Sequence, residues 1–359
     1  MSTVNKSKKK ILIIGNQGYL GSRLSDFLLN KNYYCEGIDT GYFKNNKLTN
    51  LSKIKTKKKS ASQVNKNDIK GFDAVLMLAA FSNDHIGELS AKKFYKPTLI
   101  YTIRIAKICK SLGVRFIFPS SCSVYGYGKR TFTETSRLNP LTHYSKNKVE
   151  IEKKLLKISN KNFKPIILRL ATVFGLSPRM RFDIVINMFT GMAITNKKII
   201  LNSNGLAWRP HVHIDDVCII FEKFINIDLN KKIKFIFNVG SNINNCRIID
   251  LIKFLRKNIK DLSVKFLHKS PFEKNDLFKD KKISHLGMDK RSYIVSFNKL
   301  NLLFPSLKFK YDLEIGISKL IKDLKKSKLK KNIFESYKFY RLQALKKVFE
   351  KKSIRKTII

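Results

Sequence analysis

Five short apolar runs alternate with stretches of helical periodicity across the first 170 residues, and that alternation limits the chain to few architectures. Residues 10–14 are almost wholly apolar, which suits a strand buried on both faces of a parallel sheet. A glycine-bearing turn follows. Leu20, Leu24, Phe27 and Leu28 then recur at helical spacing as far as Lys31, and residues 33–38 form a second strand that ends at Asp39. That is one strand–helix–strand unit. Further strands are expected at 74–78, 114–118 and 165–170, with helices at 92–112 and 142–159. In the first of these helices Ile100, Ile103, Ala106 and Ile108 supply the apolar positions, and Pro97 marks a kink or the true start. Continuously apolar strands alternating with helices imply an α/β protein with a doubly wound parallel sheet and helices on both faces.

Beyond about residue 173 the alternation loosens. We therefore expect a Rossmann-type dinucleotide-binding domain over 1–172, to which part of 211–240 returns, and a smaller, mainly substrate-binding domain over 173–324. Residues 325–359 read as a basic helical tail, with Phe334, Tyr337, Tyr340, Leu342 and Leu345 as candidate contacts. Residues 51–67 are polar and lysine-rich and carry no structural expectation.

The 359 residues carry a net charge of +47, and 43% of them are hydrophobic, enough for a sizeable core. Such a charge is what a nucleic-acid binder shows. Here, however, Lys accompanies Asn, Ile, Phe and Tyr, all residues of A/T-rich codons. The lysines are spread along the chain, and no nucleic-acid signature joins them. Compositional bias is the better account, and a non-enzymatic RNA- or polyanion-binding protein stands as the alternative from another class. Cys35, Cys109, Cys122, Cys218 and Cys246 are odd in number and widely spaced, which fits free thiols in a reducing cytoplasm and no metal site. No apolar run nears the ~18 residues that a membrane span needs. The run after the basic N-terminus stops at Gly15, too early for a signal peptide.

Gly15, Gly18 and Gly21 have the spacing GxxGxxG. Between a buried strand and a helix, such glycines permit a tight turn, close approach of backbone to a pyrophosphate, and close helix–strand packing. The helix start also offers unpaired N–H groups to phosphates. Asp39 lies 18 residues after Gly21. An acid there accepts the adenosine ribose hydroxyls and repels a 2′-phosphate, which favours NAD over NADP.

Tyr144 and Lys148 are four apart, on one face of a helix. A nearby ammonium lowers a phenol's pKa, so Tyr144 can take a proton from a substrate hydroxyl. The loop Ser120-Ser121-Cys122-Ser123-Val124-Tyr125-Gly126 follows a strand directly, where a hydroxyl faces the ligand crevice. Each feature alone is weak evidence. All three in this order are far more specific.

Together with Leu78-Ala79-Ala80, Leu168-Arg169, Val173-Phe174-Gly175 and residues 208–217, these stretches resemble the extended short-chain dehydrogenase/reductases of the NAD-dependent epimerase/dehydratase family, which act on nucleotide sugars. The resemblance covers most of residues 10–300. It implies a cofactor site built from Gly15, Gly18, Tyr19, Leu20, Gly21, Asp39, Ala79 and Ala80 together with Tyr144 and Lys148. It implies catalysis by Ser121, Tyr144 and Lys148, and substrate contacts from Thr172, Arg209 and Arg291, the arginines on the nucleotide diphosphate. Thr172 stands where relatives often have Asn. Ser60-Ala61-Ser62-Gln63 stands where many carry an acidic pair at the adenine. Related 4,6-dehydratases place Asp-Glu directly after the catalytic Ser or Thr, and here those positions are Cys122 and Ser123. His85 and His143 fall near the expected site, with His143 turned elsewhere. The implied activity is NAD-dependent 4-epimerisation of a nucleotide-diphosphate sugar by transient C4 oxidation and re-reduction. A C4-dehydrogenase or 4-ketoreductase of the same family is the alternative. The resemblance also implies a homodimer joined through the helices at 92–112 and 142–159.

Overall fold

Strands β1 (Lys10–Ile14), β2 (Tyr34–Asp39), β3 (Lys55–Lys58), β4 (Ala74–Met77), β5 (Arg115–Ser121), β6 (Ile166–Leu170) and β7 (Ile236–Val239) pair in parallel as one sheet of order β3-β2-β1-β4-β5-β6-β7. This computed structural model describes residues 8–51, 54–82, 86–201, 203–230, 234–266 and 291–350. Because side chains alternate across a strand, each apolar run splits between two cores. Ile11, Ile13, Leu76, Ile117, Leu168 and Phe237 face one layer. There they meet Leu24 and Leu28 of helix α1 (Tyr19–Asn30) and Phe221 of helix α5 (Ile214–Asn226). Leu12, Ile14, Val75, Phe116 and Ile167 face the other layer. It is formed by helices α2 (Ile86–Leu112) and α3 (His143–Ile158), through Ile105, Ile151 and Leu155. This is the doubly wound parallel sheet that the sequence implies.

A separate core joins Phe174, Met180, Phe182, Leu251, Ile317 and Leu320. It lies between helix α4 (Val185–Asn196), helix α6 (Leu313–Lys326) and the segment 251–258. Strand β7 at 236–239 joins the main sheet, after the excursion through this second core has begun.

Three local expectations change. Helix α2 begins at Ile86, and Pro97 lies inside it. Its described buried face is Leu99, Thr102, Ala106 and Cys109, with Tyr101 and Ile105 beside them, while Ile100 is 57% exposed. Packing on the sheet therefore outweighs the hydrogen bond that the proline removes. Residues 51–67 are partly regular: β3 pairs along Glu36 to Asp39, and Lys57 and Lys59 reach Asp68, at 3.4 and 2.5 Å. Lysines suit such an edge strand, because their side chains stay in water and discourage further pairing. The tail folds back, with helix α7 (Arg341–Glu350) docked so that Leu345 is fully buried against Phe43 and Phe81. Phe334 is also buried, whereas Tyr337 is exposed. His85 and residues 351–359 lie outside the described residues.

Behind β5 a buried ion pair ties the sheet to α3. Glu152 accepts from Arg169 at 2.7 Å and also from the hydroxyl of Ser120. Arg169 donates to Tyr125 Oη at 3.0 Å, and Tyr125 donates to Asn238 at 2.7 Å. Removing one member of such a pair leaves an uncompensated buried charge. Glu152→Ala is expected to lower stability by about 3–5 kcal/mol. Glu150→Ala, which loses only an exposed 3.8 Å pair with Lys154, is expected to change it by under about 1 kcal/mol. Thermal and urea unfolding of the two variants check the contrast.

Candidate active site

Strand β1 pairs with β2 on one side and β4 on the other, so the chain winds outward in both directions from this point. In such sheets a crevice opens beyond the carboxyl ends of the strands at the switch point. Here it is a cavity of about 590 Å3, lined by every residue expected at the site: Gly15, Gly18, Tyr19, Leu20, Gly21, Asp39, Ala79, Ala80, Ser121, Tyr144, Lys148, Thr172, Arg209 and Arg291. His143 is exposed and not part of the wall.

The turn after β1 has no room for side chains. Gly15 sits at φ +94°, and a Cβ there would lie 2.6 Å from the amide nitrogen of Ala79. A Cβ on Gly21 would lie 2.1 Å from the carbonyl oxygen of Gly15. Gly18 caps α1 without a side-chain hydrogen bond, and no acid occupies the first turn. The first N–H groups of α1 thus meet the cavity with the positive end of the helix dipole, a fit for a pyrophosphate. Asp39, at the end of β2, accepts from the amides of Gln17 at 3.1 Å and Gly41 at 2.9 Å. Burial pushes its carboxyl above the usual carboxylate range, against the pull of those two amides. Ser60, Ala61 and Ser62 line the same end, in a turn that Ser60 caps through the Ser62 amide. The phenol of Tyr19 is committed elsewhere: it donates to the carbonyl of Gly175 at 2.7 Å and accepts from Asn187 at 3.1 Å.

Thr142 caps α3, and its capping box with Ser145 starts the helix where Tyr144 and Lys148 both reach the cavity. Lys148 is 4% exposed. Its Nζ donates to the Pro119 carbonyl at 2.7 Å and lies 5.6 Å from the Tyr144 ring centre. Burial pushes the Lys148 ammonium down to about 7, with Glu152 pulling the other way. The Ser121 hydroxyl oxygen accepts from the Ser123 amide at 3.2 Å. Cys122 points away: its thiol is buried, donates to the Arg169 carbonyl at 3.2 Å, and is pushed up by that burial. At the other end, Arg209 lies on the strand Trp208–His213, which pairs in parallel with Thr172–Phe174. Its guanidinium donates to the carbonyls of Trp208, at 2.8 Å, and Arg291, and lies 5.1 Å from the Tyr293 ring centre. The backbone at 291 is therefore tied to Arg209.

The sequence did not single out Arg181, Asp183 and Arg341, which also line the cavity. Arg181 donates twice to Asp183, at 2.9 and 2.8 Å. Alternating charged and apolar residues in Arg179-Met180-Arg181-Phe182-Asp183 were the available signal.

A model of the NAD dependent epimerase/dehydratase family matches residues 11–240. The chain belongs to that family. Among its relatives is a dTDP-D-glucose 4,6-dehydratase of Dictyostelium discoideum, 27% identical over 273 residues. That alignment covers 65% of this chain and 58% of the relative, so this chain spans little more than half of that protein's length. An NAD-dependent NDP-hexosamine 5,6-dehydratase of tunicamycin biosynthesis superposes with a TM-score of 0.74 at 18% identity, covering 90% of this chain and 99% of its own. The UDP-glucose 4-epimerase of Thermotoga maritima superposes with a TM-score of 0.71 at 21% identity, covering 89% and 99%. These superpositions establish the epimerase/dehydratase fold. Among the described residues no helix is long and apolar enough to cross a membrane, and no group of three His, Cys, Asp or Glu is placed to hold a metal.

Asp39 lines the cavity at the carboxyl end of β2, where the resemblance implies the adenosine ribose. Asp39→Ala is expected to weaken NAD binding and relax discrimination against NADP, because the repelling carboxylate is gone. Cofactor titrations check it, and unchanged affinity for both would remove Asp39 from the ribose.

Proposed function

We propose that the protein is an NAD-dependent nucleotide-sugar 4-epimerase. One observation supports this most: Ser121, Tyr144 and Lys148 share a cavity whose only carboxylates, among the described residues, are both engaged. Asp39 holds two turn amides, and Asp183 is paired with Arg181.

In this reading the glycine turn and Asp39 hold the pyrophosphate and adenosine ribose of NAD, which when bound supplies reversible oxidation at the sugar C4. Tyr144 takes the proton from the C4 hydroxyl. Lys148 is anchored on the Pro119 carbonyl, close enough to stabilise the phenolate and to reach a ribose hydroxyl. Ser121 accepts from the Ser123 amide, so its own O–H is left to donate to the C4 oxygen. Arg209 and Arg291 bind the nucleotide diphosphate, and that remote binding energy retains the 4-keto sugar while it turns its other face. A C4-dehydrogenase or 4-ketoreductase would use the same residues and differ in whether the keto sugar leaves.

Dehydration asks for more. After C4 oxidation a base must take the C5 proton and an acid must protonate the departing C6 oxygen. Cys122 is turned into the core, and Ser123 is a hydroxyl, so neither replaces a carboxyl pair.

Tyr144→Phe is expected to fold and retain cofactor while losing about 10²–10⁴ in kcat, the usual contribution of general acid–base catalysis. Steady-state assays over a panel of nucleotide sugars check it, and near-native turnover would remove Tyr144 from the chemistry. On the true substrate, mass spectrometry is expected to find a product of unchanged mass. A product lighter by one water would move the protein to the dehydratase branch.

A further inference from the structure

The last described helix brings a buried cation to the cavity from outside the residues that match the family. Residue Arg341 opens α7 and is 7% exposed. Its backbone amide donates to Asp183 at 3.3 Å, and its guanidinium lies 4.7 Å from the centre of the Phe43 ring. The same ring has the Arg179 guanidinium at 5.1 Å. Among the described residues, the buried Nε of Arg341 has no hydrogen-bond partner.

The charges here do not balance. Arg181 and Arg341 act electrostatically on Arg179, and Arg181 acts on Arg341; the carboxylates the three feel are Asp183 and, for Arg341, Asp39. Asp183 already takes two hydrogen bonds from Arg181. Burial first, then the crowding of like charges, pushes Arg341 down to about 10. Packing alone would favour an apolar residue over a buried guanidinium with an unpaired donor. An excess cation in a cavity that also receives the N-terminus of α1 suits an anion with several oxygens.

We infer that Arg341 binds the pyrophosphate of the dinucleotide, so that the C-terminal segment completes the cofactor site begun by the glycine turn. The inference rests on the NAD reading above. Arg341 lies within electrostatic reach of both Asp39, at the ribose end, and the Arg181–Asp183 pair beside Tyr144. The pyrophosphate is the anionic part of NAD that joins those two ends. The segment is held in place independently of Arg341: the Phe182 amide donates to the Phe339 carbonyl at 3.0 Å, and Phe334 packs on Phe182 and over Gly191.

The test is calorimetric titration of the full-length protein, stripped of nucleotide, with NAD, ADP-ribose and adenosine at several salt concentrations. Arg341→Gln is expected to weaken NAD and ADP-ribose by on the order of 10–100-fold, the range for a charge-assisted hydrogen bond. It is also expected to flatten the salt dependence of ADP-ribose binding and to leave adenosine unchanged. Arg341→Lys is expected to recover part of the affinity. Without ligand, the melting temperature of Arg341→Gln is expected to hold or rise, because a repelling charge has gone. A purely structural role would lower it and leave ADP-ribose binding intact, which overturns the inference. If Arg341→Gln does not fold, Arg341→Lys decides: weakened ADP-ribose binding with adenosine binding unchanged supports the inference, and ADP-ribose binding at full wild-type strength overturns it. A wild-type protein that binds neither NAD nor ADP-ribose would instead overturn the NAD reading itself.

Discussion

Gly15 leaves β1 so close to Leu78 and Ala79, just past β4, that a Cβ on it would come within 3 Å of their backbone, and the rest of the molecule is arranged around that approach. The amide of Ala79 donates to the Ile14 carbonyl at 2.7 Å, and that of Gly15 donates to the Ile38 carbonyl at 2.8 Å, so three strand ends converge on one turn. A side chain at residue 15 would collide with Leu78 and Ala79, and one at residue 21 would push α1 off the turn. With glycine at both positions, the helix start sits directly over the strand ends, and the groups facing the cavity are backbone amides. These amides belong to the backbone and keep their direction as long as both glycines are present, which makes the turn a fixed reference for Asp39, Ser121 and Tyr144.

The second core is fastened to that reference by buried polar contacts. Tyr19 donates to Gly175, Ser177 donates to the Tyr19 carbonyl at 2.6 Å, and the Ser22 and Ser177 hydroxyls are 2.9 Å apart. Arg23 meets Asp215 at 2.7 Å on the partly exposed side. Buried hydrogen bonds of this kind fix orientation more than they add net stability. The arginines at 181 and 209 and the strand at 172–174 are thereby held at set positions relative to the glycine turn.

The parts of this arrangement that are legible in sequence are those in which the chemistry and its scaffold are neighbours along the chain. Gly15, Gly18 and Gly21 lie within one turn, Asp39 closes the next strand, and Tyr144 and Lys148 share a helix face through i, i+4 spacing. The periodicity rules report the helix and strand directly. Arg181, Asp183 and Arg341 escaped because their placement comes from contacts across more than a hundred residues, such as Phe182 with Phe339 and Leu345 with Phe43. The strand Lys55–Lys58 escaped for the opposite reason. Its pairing with β2 is local to the sheet, but its side chains face water and show no apolar alternation. The buried face of α2 was misread by one residue, since Ile100 looks like core until the sheet shows which stripe it covers.

The path of the chain around the cavity also bears on the order in which the protein is made. Residues 11–240 supply the sheet, the glycine turn and the Ser–Tyr–Lys set, and all of these leave the ribosome well before α7. Until Phe334, Phe339 and Leu345 dock, the Phe182 and Phe43 rings lack their cover. A nascent chain can therefore form the sheet early while its cavity wall is still missing one side. The finished pocket therefore requires the chain through Arg341 and Leu345.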